Sequence, residues 1–467
     1  MGVSKLTKYF IDHPKAREKV SLRGLAKMTF KQTGKNAKLL CDYYSVIHSL
    51  LSEVDMKSAH TDQLRSYCED FNFFANKITN FVKVFQCLGI DLVFFVDAPH
   101  GVNEVEFRTK VSTLNDRYVS QLMDVHHFQH LQWSSLVPLQ GLMTLKSAGV
   151  KIFYCRGEAD PELVYYAQNN EEVCGILSGD SDFAIMQETT LFPCGLFDFH
   201  SCNVDKCTNI NCETVTRTTL ARSLKIKEDQ LPDLAILCGN DLTRPLNRQL
   251  IYSLKKQLRL EGTDIKSVAK WLRGKVVPLV NYKPFKVFCN DHREYKNAVE
   301  HTYKYYSHHS MKISNYESPF DAVLDGIKKS GVWWRDVIPE SLTLGSPCMQ
   351  ELLLPLRKVI YFFLGMKSVR EFGRTHVKSF AETSVLLPKH DESASSQCLR
   401  SFRDLDANGK LLSSFYLTVY APMFGYLVEE MGEIPTQVAQ ECTALPECLP
   451  NKGIFVCSCL RFHPEKG

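Results

Sequence analysis

The sequence predicts an α/β fold built on a parallel sheet, and three observations carry that expectation. Short runs rich in Ile, Val, Leu and Phe recur, among them Val150-Lys151-Ile152-Phe153-Tyr154-Cys155 and Cys174-Gly175-Ile176-Leu177-Ser178. Apolar runs of this length, closed by glycine, read as strands buried on both faces. Between those two lies Pro161-Glu162-Leu163-Val164-Tyr165-Tyr166-Ala167-Gln168, a helical pattern with proline near its first turn, where a missing N–H costs nothing. Acids then follow each run: Gly157-Glu158-Ala159-Asp160 after the first and Gly179-Asp180-Ser181-Asp182-Phe183 after the second. In open α/β sheets the carboxyl ends of the strands are where ligands bind.

Four carboxylates gathered at one edge repel one another and resist ionising unless a cation neutralises them. A hard divalent ion does so, and all-oxygen ligands suit Mg²⁺ or Mn²⁺. The alternative on the same residues is structural, with Glu158 and Asp160 as helix caps and Asp180 and Asp182 as loop acids. Arg156 and Arg244 are the nearby counter-charges in sequence.

Taken in order, the chain opens with a basic, helix-like segment through Lys31. Lys38-Leu39-Leu40-Cys41-Asp42 is a short apolar strand ending in an acid. Thr61 to Leu88 reads as a long helix, because Leu64, Tyr67, Phe71, Phe74, Ile78, Phe81 and Phe85 recur mostly at three- and four-residue steps. Thr61-Asp62 offers its N-cap and Gly89 its stop. Asp91-Leu92-Val93-Phe94-Phe95-Val96-Asp97 is a further buried strand ending in an acid. Residues 100–135 are polar and helical, carry Arg108, Lys110 and Arg117, and read as a cap over the strand ends. Leu136 to Gly149 is a helix feeding the Val150 strand. After Asp182 come the strand Thr190-Leu191-Phe192-Pro193, a cysteine-bearing loop and a helical pattern from Val215 to Leu224. A helix from Leu231 then runs into Gly239-Asn240-Asp241. Helices are expected over Leu246–Leu260, Asp264–Lys275, Tyr295–His308 and Ser318–Lys329, with Trp333-Trp334 and Leu352–Leu364 in a packed helical region. The polar run Pro388–Gln397 reads as a linker.

The chain has 467 residues, room for two or three domains, and an ordinary globular composition. Its net charge of +4 is too small to argue for nucleic acid by itself, so any basic surface must be local. Seventeen cysteines without a regular framework indicate free thiols in a reducing compartment. Cys202, Cys207 and Cys212 lack the CxxC knuckle of a zinc site. Met1 to Arg17 is polar and reads as no signal peptide, Leu6 breaks the myristoylation pattern, and no run of eighteen apolar residues occurs. The expectation is a soluble intracellular protein of nucleus or cytoplasm, with no membrane partner.

The acids and their order resemble the flap-endonuclease (XPG-like) superfamily of structure-specific nucleases. Met1-Gly2-Val3, Asp42, Asp97, Glu158-Ala159-Asp160, Asp180-Ser181-Asp182 and Leu237-Cys238-Gly239-Asn240-Asp241 carry that resemblance over residues 1–245. Within the superfamily the chain is similar to the asteroid family and its relatives, the constitutive coactivator proteins. The phrases behind this are Thr113-Leu114-Asn115-Asp116-Arg117, Leu177 to Phe183, Leu237 to Asp241 and Leu354-Pro355-Leu356-Arg357-Lys358-Val359-Ile360-Tyr361.

The resemblance implies a PIN-like α/β/α sandwich with a mostly parallel twisted sheet and carboxylates at its carboxyl edge, followed by a helical C-terminal region. It implies a Mg²⁺-dependent nuclease that hydrolyses branched or flapped DNA with two metal ions, Mn²⁺ substituting, in the setting of DNA repair. Asp42, Asp97, Glu158 and Asp160 would serve one ion, and Asp180, Asp182 and Asp241 the other, as the catalytic set. Gly2 matches the glycine that the superfamily places close to substrate. Arg108, Lys110 and Arg117 loosely match its nucleic-acid-binding basic residues. The expected partner is DNA, with RNA as the alternative. The implied division is a nuclease domain over 1–245 with its cap at 100–135, a helical region over 246–385, a linker over 386–408 and a C-terminal segment over 409–467.

Departures temper the carry-over. Asp160 stands where Glu is usual, Ala98 replaces a glycine, the span from Asp97 to Glu158 is short for a full arch, and Leu242 to Arg248 lacks the glycines of a duplex-gripping hairpin. The second reading is a catalytically weak or inactive nuclease fold that binds RNA or protein partners. All seven acidic positions are kept, which favours catalysis.

Overall fold

The computed structural model of the chain describes residues 2–3, 5–52, 71–98, 136–199, 210–240, 242–243, 248–262, 264–275 and 277–307. It also describes short stretches at 315–316, 332–333, 368–374 and 380–386, and residues 321 and 325. The expected cap with Arg108, Lys110 and Arg117 lies outside these residues. So do Asp241, the first part of the Thr61–Leu88 helix, the polar run 388–397 and the segment 409–467. The chain divides into two units: Met1–Met56, Phe71–Ala98 and Val137–Glu317 form the first, and Lys57–Asp70, Pro99–Leu136 and Ser318–Gly467 the second.

The first unit is the expected α/β architecture. Its strands are β1 (Glu18–Ser21), β2 (Ala37–Asp42), β3 (Ile90–Val96), β4 (Lys151–Cys155), β5 (Val173–Ser178), β6 (Thr190–Pro193), β7 (Asn211–Thr216) and β8 (Asn315–Tyr316). They make one sheet in the order β1-β7-β6-β5-β2-β3-β4-β8. The five central strands, β6 to β4 in that order, are parallel. The edges are antiparallel, β7 on β6, β1 on β7 and β8 on β4.

The helices are α1 (Leu6–Asp12), α2 (Leu22–Thr33), α3 (Tyr43–Ser52), α4 (Phe71–Leu88), α5 (Leu136–Ser147), α6 (Ala159–Gln168), α7 (Arg217–Leu224), α8 (Leu231–Cys238), α9 (Arg248–Gln257), α10 (Ile265–Leu272), α11 (Lys283–Asp291) and α12 (Arg293–Ser307). The central strands are apolar over most of their length because helices cover both faces. Consecutive side chains of a strand point to opposite faces, and β3 shows both. Phe94 meets the ring of Tyr43 at the start of α3, 6.1 Å between centroids. Phe95 meets Phe153 at 4.8 Å and Tyr166 of α6 at 5.6 Å. On the Phe95 side one apolar core joins Val3, Leu6, Leu163, Leu234, Leu254, Val268, Phe285 and Tyr306, so the helices of 248–307 pack into the same core as the sheet.

Two strands fall where the sequence pattern predicts helix. β1 interrupts the N-terminal segment of helical character, and β7 takes up Val215 and Thr216, the expected start of α7. Both are short and largely polar, so their pattern carries no apolar period. They are fixed by pairing with each other and by the Arg17–Glu213 ion pair that spans them. α11 falls outside the expected helices, although Pro284 in its first turn is a start signal. In the second unit, Ser368–Arg374 and Phe380–Leu386 pair as antiparallel strands, with Val332–Trp333 parallel to the first. The expectation there is helix; Val369 and Phe372 stand three residues apart, a helical step, and it is pairing with the neighbouring strand that makes the stretch extended.

Two strain points in the first unit can be tested. Gly175, at φ 155°, sits where β5 shifts register against β2, and a Cβ there would lie 2.5 Å from Phe192 and 2.6 Å from the Thr190 carbonyl of β6. Gly175→Ala should lower the unfolding free energy by roughly 1–3 kcal/mol, the usual cost of overpacking, in urea titration. An unchanged midpoint would show that β6 yields.

Asp233, buried in the first turn of α8, accepts hydrogen bonds from the Leu279 N–H (3.0 Å) and the Tyr303 hydroxyl. Burial pushes its carboxyl up to about 6 despite those two bonds. A carboxyl with a folded pKa above its unfolded value holds its proton more tightly when folded. Stability should therefore fall as pH rises from about 4 to about 6, by roughly 3 kcal/mol in all. In Asp233→Asn protein, denaturation across that range should lose this slope.

Candidate functional site

Parallel pairing aligns the carboxyl ends of β2, β3, β4 and β5 along one edge, and each delivers acids there. Asp42 is the last residue of β2, Asp97 follows β3, Glu158 and Asp160 follow β4, and Asp180 and Asp182 follow β5. Asp42 and Asp180 are 8% exposed and Asp182 3%, Asp97 and Asp160 are half-buried, and Glu158 is exposed. The structure thus brings six of the seven expected acids to one edge.

Each buried acid has named donors. Asp42 Oδ2 accepts from Ser178 Oγ (2.7 Å) and from Ser45 Oγ. Burial drives the Asp42 carboxyl up to about 6, with Asp97 and Asp180 adding repulsion and the two serines opposing it. Asp180 Oδ1 accepts the Asp182 N–H at 3.0 Å, an Asx turn that starts the helical turn Ser181–Ala184. Asp97 Oδ1 accepts the Ala159 N–H at 2.6 Å and so caps α6 from the neighbouring strand. Glu158, at the N-cap position itself, makes no side-chain cap bond. The structural alternative for Glu158 is therefore not realised; Asp97 does that work. Burial, and after it the charges of Asp180, Asp42, Asp97 and Glu158, push the Asp160 carboxyl well above the ordinary carboxylate range. Four acids acting on one is the electrostatic mark of convergence.

Two functional side chains escape sequence reasoning. Tyr305 and Tyr306, in the last turn of α12, donate to Asp160 Oδ2 at 3.0 Å and Asp182 Oδ1 at 2.8 Å. Burial, followed by the facing aspartates, pushes both phenols well above their usual range, so they stay donors at any working pH. Adjacent tyrosines on an amphipathic helix look like core. The only signal in the sequence is a pair of hydroxyls where phenylalanine would pack equally well.

Gly2 lies beside the acids. It adopts φ 73°, and a Cβ there would stand 2.2 Å from Asp180 Oδ1 and 2.6 Å from Ser181 Oγ. The Val3 N–H donates to Ser181 Oγ at 3.1 Å, fastening the N-terminus beside the acids. Just before Asp241, Asn240 Oδ1 accepts from the N–H groups of Leu242 and Thr243, while its Nδ2 donates to Thr302 of α12 at 3.2 Å.

Among the described residues, no group of three or more His, Cys, Asp or Glu side chains lies close enough together to hold a metal ion directly. The acids instead face serine and tyrosine hydroxyls. This donor set fits a hydrated Mg²⁺, which keeps several waters and takes one or two carboxylates plus phosphate oxygens, rather than a closed cage of protein ligands.

No family model matches the chain. It is similar to the constitutive coactivator of peroxisome proliferator-activated receptor gamma of Mus musculus, 27% identical over 179 residues, which is 36% of this chain and 21% of that protein. The match thus spans about a fifth of the curated relative's length. Among solved structures, the catalytic core of Rad2 in complex with DNA substrate is 16% identical and covers 76% of this chain and 99% of its own, with TM-score 0.37. Human GEN1 in complex with Holliday junction DNA is 15% identical and covers 92% and 99%, with TM-score 0.36. The Holliday junction-resolving enzyme GEN1 with product DNA and Mg²⁺ is 14% identical and covers 71% and 66%, with TM-score 0.33. Superpositions this loose carry no weight on activity, which the residues themselves must decide. Among the described residues no helix is long and apolar enough to cross a membrane.

The tyrosine hydrogen bonds make a direct prediction. Without divalent ions, Tyr306→Phe should cost about 1–3 kcal/mol of stability, because it leaves a buried carboxylate oxygen short of a donor. Tyr305→Phe, at a half-buried position, should cost less; the order in urea denaturation checks the assignment.

Proposed function

We propose that the chain is a PIN-like, flap-endonuclease-type nuclease of asteroid kind that hydrolyses phosphodiester bonds in branched or flapped DNA. The single observation that carries this reading is the convergence of Asp42, Asp97, Glu158, Asp160, Asp180 and Asp182 on one sheet edge, where burial and the neighbouring acids push up the Asp42 and Asp160 carboxyls and the five aspartates accept from neutral hydroxyl and N–H donors. Two divalent ions, when bound, supply a deprotonated water and a stabilised leaving oxygen. Asp42, Asp97, Glu158 and Asp160 would hold one, and Asp180, Asp182 and Asp241 the other, some of them through bound water rather than directly.

The chain's own groups do the rest. Ser45 and Ser178 orient Asp42, and Tyr305 and Tyr306 orient Asp160 and Asp182. All four are neutral donors, so they fix the carboxylates without cancelling the charge that draws a cation. Gly2 lets the N-terminal backbone pack directly against Asp180 and Ser181, where a Cβ would collide. Arg108, Lys110 and Arg117 would contribute nucleic-acid binding. In this reading the nuclease unit runs through the helices of 248–307, whose tyrosines hold two of the acids, rather than ending at residue 245.

A second reading has an observation of its own. The lack of a direct three-ligand group among the described residues, with the likeness to a coactivator, supports a nuclease-fold scaffold for RNA or protein partners.

One experiment separates the two. Purified protein is incubated with labelled flap, fork, single-stranded and RNA substrates, with and without Mg²⁺, while Mn²⁺ binding is measured by calorimetry. The nuclease reading expects cation-dependent cleavage, and loss of both cleavage and Mn²⁺ binding in Asp180→Asn/Asp182→Asn protein. Equal Mn²⁺ binding by wild type and double variant would sink it in favour of the scaffold.

A further inference from the structure

A cavity of about 520 Å³, lined by none of the strand-end acids, lies where three elements meet: the end of α1 with the turn Pro14–Ala16, the last turn of α7, and α10. Lys15, Lys266, Lys270 and Arg273 line it with His13 and a single carboxylate, Asp12. Four permanent cations against one acid leave a local excess of three charges, in a chain whose total is +4. The composition required any basic surface to be local, and this is such a place.

The arrangement of these cations says what they suit. Lys266, Lys270 and Arg273 stand at i, i+4 and i+7, on one face of α10 and its C-cap, a row about 10 Å long. A compact anion would call for cations converging on a point, whereas each strand of a nucleic-acid duplex presents one charge per about 3.4 Å of axis. The row therefore faces about three successive phosphates. Lys266 and Lys270 are exposed; the Lys270–Glu261 pair is an exposed one at 3.3 Å and holds its lysine only weakly, while Arg273 Nη2 donates to the Leu224 carbonyl at 3.0 Å. The lining also carries neutral donors. Tyr9 Oη and Ser223 Oγ lie 3.2 Å apart, and the Tyr9 ring stacks on His13 at 4.2 Å between centroids.

α1 ties this cavity to the site. Its N-terminal end follows Gly2 and Val3, which sit against Asp180 and Ser181, and its C-terminal end forms the cavity wall. Seven helical residues span about 10 Å, so the cavity stands about one short helix away from the acids.

Resting on the nucleic-acid reading above, we propose that this cavity seats the phosphate backbone of the substrate a few nucleotides from the acidic edge. It supplies duplex affinity, a role for which the sequence Leu242 to Arg248 carries none of the glycines of a duplex-gripping hairpin.

The test uses the full chain and a labelled DNA duplex, with affinity measured over a series of salt concentrations. Lys15→Ala/Lys266→Ala/Lys270→Ala should lower the slope of log affinity against log salt by about 2–3, at about 0.9 for each phosphate no longer neutralised. Lys266→Ala alone should lower it by about 1, which keeps the test sound if the triple variant folds poorly. A control triple, Lys19→Ala/Lys83→Ala/Lys146→Ala, should keep the wild-type slope. The proposal is overturned if the pocket variants and the control match wild type. It is equally overturned if inorganic phosphate binding is lost in the triple variant while duplex binding keeps its slope, since the seat then serves free anions. Wild type that binds no nucleic acid at all brings down the functional reading itself, a result distinct from loss of this seat alone.

Discussion

Parallel strand pairing is the constraint on which the rest of this protein depends. Once β2, β3, β4 and β5 run the same way, every strand delivers its last residues to one edge. Acids placed there cannot avoid each other, and burial makes their charge costlier still. The protein meets that cost with neutral donors: two serine hydroxyls, two tyrosine hydroxyls and the Ala159 N–H. Arginine or lysine would have satisfied the same oxygens and also cancelled their charge. Neutral donors satisfy the lone pairs and leave the negative potential standing, which is the property a cation site needs.

The other half of the arrangement lies on the Phe95 face of the sheet. There α6, α8 and α12 share one apolar core with Phe95, Leu163, Leu234 and Tyr306. Packing at that density sets side chains in single rotamers, so the last turn of α12 is carried to the acids by a core that has no polar role itself. Asn240 adds a polar tie, joining the loop after α8 to Thr302 one turn before the tyrosines.

How much of this is legible in the sequence follows from burial. β2, β3, β5 and β6 are largely buried and β4 half-buried, so they appear as apolar runs, and the acids closing them are visible because charge stands out at the end of such a run. β1 and β7 lie at the edge, where pairing rather than apolar period fixes them, and their polar residues conceal the strand. The role of Asp97 is hidden for another reason: its cap reaches Ala159, 62 residues on, whereas sequence reasoning looks for the cap beside the helix, at Glu158. Tyr305 and Tyr306 are hidden most deeply. They sit on an ordinary amphipathic helix, and only the three-dimensional fold turns their hydroxyls toward acids from another part of the chain.

That remoteness has a consequence in time. Asp160 and Tyr305 are 145 residues apart, and Asp182 and Tyr306 are 124 apart. A chain synthesised at about 5–20 residues per second would have Asp182 emerge roughly 6–25 s before the hydroxyl that holds it. Through that interval the sheet edge carries its acids with no phenol to bind them. The nascent protein must either delay closing the edge or leave those carboxylates in water, so the last turn of α12 is the piece whose arrival completes the fold.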